Sequence, residues 1–362
     1  MRVVIDASSL LLRSAGVKNY FYHWLRHLRA LAGIDAIRAF PFLKEFGDLN
    51  HERSVLPPAA TYRRLVAVYL AKFGFNPLLE YCARGSDVFH VSNLLRNRPR
   101  RTRVTATVHD LTCLLMPEVH TPDNVKADRG FVERILKHAD GLIAVSENTR
   151  QDVIQLLGVN PEKVWTIYPG VAEAYFDATP RQFEKPYVFS VGTLEPRKNL
   201  GRLLDAWQAL PADIRGEYEL ILAGSHGWHA EEVTARLESG IPGVRHLGYV
   251  PESELPGWTA GATALVYPAL YEGFGFPAAQ ALASGVPVIA SDSSSLPEVV
   301  GEGGLTVDVN SVAEIRCALE LLLTSPALRK RLSVNARARA ERFRWERSAR
   351  ESLEFFEAVC GS

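Results

Sequence analysis

What most constrains this chain is a rhythm. Short runs rich in Val, Ile and aromatic residues alternate with longer amphipathic segments along its length. Residues 2–5, 87–91, 104–108, 141–145 and 164–168 read as strands, with helical patterns such as 19–31 and 126–139 between them. A second series follows at 187–191, 219–223, 244–248, 264–267 and 287–290, with helices expected at 200–210, 230–237, 278–284, 312–324 and 326–342. That alternation marks βαβ units, and so an α/β fold with parallel sheets. At roughly 150 residues per domain, 362 residues give two. The first is placed at 1–172 and the second at 173–344, with the polar, aperiodic stretch 172–185 as linker. A last helix at 345–362 is expected to pack back on the first domain.

Composition narrows the function. A hydrophobic fraction of 47 % and a charged fraction of 23 % fit a soluble globular protein. The formal net charge is zero, so no bulk field draws the chain to nucleic acid or membrane. Cys82, Cys113, Cys317 and Cys360 form no CxxC pair or zinc-like spacing, which fits a reduced, cytoplasmic setting. Asp6 interrupts the first apolar run and no small-residue cleavage site follows, so the N-terminus reads as a buried strand rather than a signal peptide. The apolar runs fall short of the about 20 residues of a membrane-spanning helix. Two basic stretches stand out, LRNRPRRTRV at 95–104 and TYRRLVAVYLAKFGF at 61–75. The first suits a solvated loop, or a patch facing an anionic acceptor or a membrane surface. With the second, an amphipathic helix, it raises a peripheral membrane contact through the N-terminal domain.

In open parallel sheets ligands bind beyond the carboxyl ends of the strands, and two facing sheets would line one cleft. Four stretches lie at such ends. YEGFGFPAAQALASGVPVIAS, from Tyr271, places Glu272 in a loop past an apolar strand. Pro277 fits the first turn of a helix and Gly285 its C-terminal end. The backbone N–H groups of Gly273, Phe274, Gly275 and Phe276 then lie at a helix N-terminus, where the dipole favours phosphate or sugar hydroxyls. The glycines allow close approach, and Glu272 could accept bonds from those hydroxyls. The same residues also suit a plain strand–turn–helix. No G-x-G-x-x-G follows the first strand, which disfavours a dinucleotide dehydrogenase. In VGTLEPRKNL, Val191 to Leu200, Arg197 and Lys198 enter a helix. An Arg fork and a Lys point charge suit a diphosphate, and they oppose the helix dipole unless an anion is present. TVHDLTCLLMPE sets His109 and Asp110 after a strand of the first domain; a loop His and a capping Asp would look the same. In SAGVKNY, Gly16 could admit a ligand to the backbone, or simply turn the loop.

Taken in order with IYPGV, LAGSHGW, LGYVPESELPGW and SLPEVVGEGG, these stretches resemble a retaining GT-B glycosyltransferase of family 4, over essentially the whole chain. The resemblance implies two Rossmann-like domains facing across a cleft, the first toward an acceptor, the second binding a nucleotide-sugar donor. Arg197 and Lys198 would hold the donor diphosphate, and Glu272 the hydroxyls of the transferred sugar, aided by amides around Phe274, Gly275 and Phe276. Gly16 and Gly192 would border the donor, His109 would contact its sugar near the reacting carbon, and position 280 would face the ribose. The stretch with Ser294, Leu296, Pro297 and Glu298 would be structural. The implied reaction moves a mannose- or glucose-type hexose from a GDP- or UDP-linked donor to a glycan or lipid-linked acceptor, with no separate cofactor, no metal and no nucleic-acid partner. Cell-surface polysaccharide synthesis is the implied setting, in the cytoplasm or at the inner face of the plasma membrane. One departure is visible: where the family pattern has a second Glu eight residues after the first, this chain has Gln280. An amide keeps one acceptor and adds a donor, so ribose binding should survive but weaken. Two rival readings remain, a nucleotide-sugar 2-epimerase, which needs no acceptor, and a non-catalytic nucleotide-sugar binder.

Overall fold

The computed structural model describes residues 1–14, 16–72, 76–92, 94–95 and 97–361. It contains two six-stranded, wholly parallel sheets. The first comprises β1 (Val3–Asp6), β2 (Ile37–Phe40), β3 (Val88–Val91), β4 (Arg103–Val108), β5 (Gly141–Ala144) and β6 (Val164–Thr166), in spatial order β2-β1-β3-β4-β5-β6. The second comprises β7 (Tyr187–Val191), β8 (Glu219–Ala223), β9 (Val244–His246), β10 (Ala264–Tyr267), β11 (Val288–Ser291) and β12 (Gly304–Val307), in order β12-β11-β10-β7-β8-β9. Both are Rossmann-like, as the resemblance implies. β2 and β12 were not foreseen. Each is an edge strand of four residues with a polar or exposed position inside it, Arg38 or Thr306, so its apolar signal is too short to register.

The chain divides into two compact units. One holds Met1–Pro117, Pro122–Gly170 and Arg344–Ser362, and the other Glu118–Thr121 and Val171–Phe343. The short insertion is fastened in the second unit by the Trp228 indole, whose Nε1 donates to the Val119 carbonyl at 2.6 Å. The segment expected as a linker also belongs to the second unit. It begins with a helical turn, Glu173–Phe176, that buries Tyr175, and the Arg181 guanidinium lies 4.3 Å from the centre of the Trp258 ring.

Helix Leu200–Gln208 shows why the second unit closes. Leu200, Leu203, Leu204 and Trp207 recur at helical spacing and are buried against Val188, Leu220 and Leu222 of the sheet. In the first unit, helix Trp345–Gly361 buries Trp345, Ser348, Ala349, Ser352, Phe355, Phe356 and Val359 along one face. It meets helix Gly16–Ala32, where Trp24 Nε1 donates to Ser352 Oγ at 2.9 Å. It also presses so near β5 that a Cβ on Gly141 would stand 2.7 Å from Val359 Cγ2.

Candidate functional site

In the second sheet the strand order reverses between β7 and β10, the place where open α/β sheets bind ligands. The loops leaving these two strands bring Arg197 and Lys198 to Glu272. Pro196–Lys198 form a single 3-10 turn ahead of helix Leu200–Gln208. Leu270 N donates to the Arg197 carbonyl at 2.8 Å, stitching one loop to the other.

Three donors converge on one carboxylate oxygen. Glu272 Oε1 lies 2.5 Å from Lys198 Nζ, 2.8 Å from Arg197 Nη1 and 2.9 Å from the Tyr267 hydroxyl, which donates to it. Lys198 Nζ also donates to the Tyr267 oxygen at 2.6 Å. Arg197 Nη2 pairs with Glu195 Oε1 at 2.8 Å, and its Nη1 reaches the Tyr271 carbonyl at 2.7 Å. Glu272 is buried; burial alone would raise its pKa, but the adjacent Arg197 and Lys198 hold it down to about 2. Burial pulls Lys198 downward, against the attraction of Glu272. Tyr267 is pushed well above its ordinary value by burial and then by Glu272, so its hydroxyl stays protonated and can donate. The two cations therefore already face two protein carboxylates, Glu195 and Glu272, which answers the dipole argument made from sequence alone. The contacts from Lys198, Arg197 and Tyr267 all fall on Glu272 Oε1.

The glycine-rich segment is shaped as well as permissive. Helix Phe276–Ala283 starts behind Gly275, whose φ is 93° and whose Cβ would fall 2.5 Å from Leu296 Cδ2. The Phe274 side chain is buried 5.3 Å from the Phe343 ring centre, so it packs, and only its backbone can serve a ligand. Gln280 is buried in the second turn of that helix. Three serines after β11 hold the loop in place: Ser293 Oγ donates to the Leu270 carbonyl, Ser294 Oγ accepts from Glu272 N, and Ser295 Oγ donates to the Glu272 carbonyl, at 3.0, 3.0 and 2.9 Å. Gly192 follows β7 at the side of the Lys198 stem, whose Cε would lie 3.5 Å from a Cβ added there. Asn199, at φ 56°, does not cap the helix with its side chain; its Nδ2 donates to the Val309 carbonyl at 2.8 Å.

The first unit holds the other expected residues. His109, just past β4, is half-buried with its ring 4.9 Å from Tyr20 and 6.0 Å from Phe21. Burial lowers its pKa to about 4, only partly countered by Asp110, so it is a neutral imidazole near pH 7. Asp110 Oδ1 accepts from Thr112 N and Thr112 Oγ1, at 3.0 and 2.6 Å, the capping alternative. Gly16 opens the helix rather than sitting in a loop, and a Cβ there would meet nothing within 4 Å, so sterics do not require glycine. Ala15, within the same stretch, lies outside the described residues, as do Arg96 of the 95–104 stretch and residues 73–75 at the end of 61–75. Arginines of the first basic stretch are drawn into the fold: Arg98 Nη1 bonds the His138 carbonyl and Arg103 Nη1 that of Cys360. Among the described residues no group of three His, Cys, Asp or Glu side chains is placed to hold a metal ion, and no helix is long and apolar enough to cross a membrane.

Sequence reasoning missed Tyr267 and Glu195. Tyr267 was read only as the end of an apolar strand, and its one available signal was a hydroxyl at a strand's carboxyl end. Glu195 sits two residues before Arg197, close enough for its carboxylate to fold back.

Comparison with known proteins bears on the family and the fold. The family model described as Glycosyltransferase Family 4 matches residues 14–175, and that described as Glycosyl transferases group 1 matches residues 171–339. The O-antigen chain mannosyltransferase B of Escherichia coli is 33 % identical over 272 residues, covering 72 % of this chain and 71 % of the relative. A serotype-specific mannosyltransferase WbdA of Escherichia coli is 28 % identical over 85 % of this chain, which spans 39 % of that longer protein. Among solved structures, a sucrose-phosphate synthase from Thermosynechococcus elongatus superposes with a TM-score of 0.74 at 19 % identity over the whole of both chains. Anabaena HepE, solved with UDP, gives 0.70 at 18 % identity over 99 % of this chain and 100 % of that one.

Proposed function

The chain belongs to family 4 of the glycosyltransferases, and on that premise we propose that it transfers a mannose- or glucose-type hexose from a nucleotide diphosphate sugar to a glycan or lipid-linked acceptor hydroxyl, with retention at the anomeric carbon. The mannosyltransferase relatives favour mannose, and O-antigen synthesis in one of them favours a cell-surface polysaccharide as product. The observation that carries the reading is the meeting of Arg197, Lys198 and Glu272 at the carboxyl ends of β7 and β10.

The chemistry follows from the charges. As the bond between the anomeric carbon and the diphosphate oxygen breaks, negative charge grows on the leaving group. Arg197 and Lys198, exchanging Glu272 for the phosphate oxygens as the donor binds, stabilise that charge electrostatically, which is usually the largest share of catalysis. Side-chain cations supply this charge in our reading, without a metal. The acceptor oxygen bonds to the same face of the carbon, and its proton passes to the departing phosphate oxygen. Glu272 orients the sugar through its carboxylate.

We place the protein in the cytoplasm with a peripheral hold on an anionic membrane. Helix Pro58–Lys72 contains no acidic residue and exposes Tyr62, Arg63, Val66, Tyr69 and Leu70, with Tyr62 72 % and Tyr69 62 % accessible. Tyrosines and basic residues together suit the headgroup region. Flotation with vesicles of anionic against zwitterionic lipid tests this, comparing the protein with its Tyr62→Ser, Tyr69→Ser double variant; equal recovery in all four cases rejects it.

The function itself is tested by thermal shift with UDP, GDP, ADP and their hexose conjugates. A ligand at a hundred times its dissociation constant adds about 2.7 kcal/mol. Stabilisation by one nucleotide series, followed by acceptor-dependent release of that nucleotide, is expected. No shift with any of them overturns the reading.

A further inference from the structure

We propose that the Tyr267 hydroxyl is the positioning group that holds Glu272 in its ionised, sugar-facing state once a donor diphosphate draws Arg197 and Lys198 away. The proposal rests on the transferase reading and concerns a residue that neither motif nor resemblance assigned. Its basis is the sharing of one oxygen. Glu272 Oε1 takes Lys198 Nζ at 2.5 Å, Arg197 Nη1 at 2.8 Å and the Tyr267 hydroxyl at 2.9 Å. Two of these donors are cations and the third is neutral.

A diphosphate entering the site competes with Glu272 for both cations. It also places like charge beside the carboxylate, which favours its protonation. Arg197 and Lys198 sit on a loop turn and have long side chains that can swing toward phosphate. Tyr267 cannot follow. It is the last residue of β10, it is only 3 % accessible, and it has two torsions rather than four. Its hydroxyl oxygen, now bonded by Lys198 at 2.6 Å, loses that donor when the ammonium turns, while its own proton remains on Oε1. The carboxylate then keeps its direction toward the sugar hydroxyls. Among the described residues, the charged and titratable groups facing Glu272 are Arg197 and Lys198 from the loop after β7 and Tyr267 from β10, with Glu195 paired to Arg197. Of these only Tyr267 combines a fixed position with no net charge.

The test uses Tyr267→Phe, which removes one oxygen and keeps the ring. Titration calorimetry of UDP and GDP at pH 5.5, in two buffers of different ionisation enthalpy, reads proton uptake on binding. The difference between variant and wild type cancels the nucleotide's own titration. Tyr267→Phe is expected to take up more protons than wild type, with nucleotide affinity changed by less than threefold. Its kcat is expected to fall 10- to 100-fold, and the acid limb of its kcat profile to move upward by about one pH unit, while that of kcat/KM stays near the wild-type position. In a Glu272→Gln background the same substitution is expected to cost less than threefold, because Tyr267 acts through Glu272. Equal proton uptake, or an equal loss in the Glu272→Gln background, overturns the proposal. Should Tyr267→Phe not fold, proton uptake by wild type less that by Glu272→Gln decides instead: an excess of a full proton means the tyrosine does not keep Glu272 ionised. If wild type binds neither nucleotide, the donor reading itself fails, a result distinct from binding without a change in uptake.

Discussion

Lys198 Nζ stands 2.5 Å from Glu272 Oε1, joining two residues 74 positions apart in the chain. Neither could be buried cheaply alone; together with Arg197 and Glu195 they form a site of zero formal charge that is still rich in donors. On the proposed reading a diphosphate displaces a carboxylate from these cations, so its affinity is expected to reflect an exchange of partners.

Lys198→Ala is expected to lower turnover by roughly 100- to 1,000-fold, the usual loss on removing a donor to a developing oxyanion. The fold should persist, because Glu272 keeps Arg197 at 2.8 Å and Tyr267 at 2.9 Å. Rates with the best donor, beside a melting curve, check this. Wild-type turnover in the variant rejects the role.

Gln280→Glu restores the second carboxylate of the family pattern. A charge-assisted bond to a ribose hydroxyl is about 1 kcal/mol better than a neutral one, or roughly fivefold in affinity. Calorimetry with the preferred nucleotide should show tighter binding. Unchanged or weaker binding means that this helix position does not meet the ribose.

Two glycine substitutions should move stability in opposite directions. Gly224 has φ 149°, and an added Cβ would lie 1.9 Å from the Gly192 carbonyl oxygen. Gly224→Ala must push the β7 loop, with a cost of about 1–3 kcal/mol and weaker nucleotide binding. Gly216, in helix Ala212–Glu217, has open space around it, so Gly216→Ala should stabilise by up to about 1 kcal/mol. Denaturant midpoints for the pair, with nucleotide affinity, settle both.

His90 gives an acid signature. It is fully buried, with Nδ1 2.9 Å from Thr105 Oγ1 and Nε2 3.0 Å from Thr107 Oγ1, and burial, then His109, press its pKa to about 3 from 6.5. The unfolded chain therefore binds the proton that the folded unit refuses. This contribution is complete above pH 6.5 and is lost as the pH falls toward 3, at about 1.4 kcal/mol per unit. His90→Gln should remove one such increment from the slope of stability against pH between 6 and 4. His23 and His109, both lowered to about 4, supply slope in either protein. An unchanged slope contradicts a neutral His90.

Much of this molecule was legible in advance for a physical reason. A central parallel strand is apolar on both faces, so β4, β5, β7, β8, β10 and β11 announced themselves as runs. Edge strands β2 and β12 need only one apolar face and went unseen. The expected helix at 126–139 is Pro122–Arg134 followed by a separate turn, since Pro122 at the first helical position was overlooked as a start signal. At the site, Arg197, Lys198 and Glu272 were found by their charge beside glycine-rich loops. Tyr267 was hidden because an aromatic residue at a strand end reads as packing. Which oxygen of Glu272 is shared, and by whom, is a matter of tenths of an ångström and is not written in spacing.

The sheet of the first unit lies in its first 166 residues, yet its aromatic interior is finished by helix Trp345–Gly361, through Phe355, Phe356 and the Ser352 contact to Trp24. The second unit, apart from residues 118–121, is one unbroken stretch, Val171–Phe343. During synthesis the half made first must therefore wait, its apolar groove open, while the half made second can already close. Only once synthesis has passed Phe343 is the second unit whole, and the first still waits for the 17 residues of helix Trp345–Gly361, so the half begun first is the half finished last.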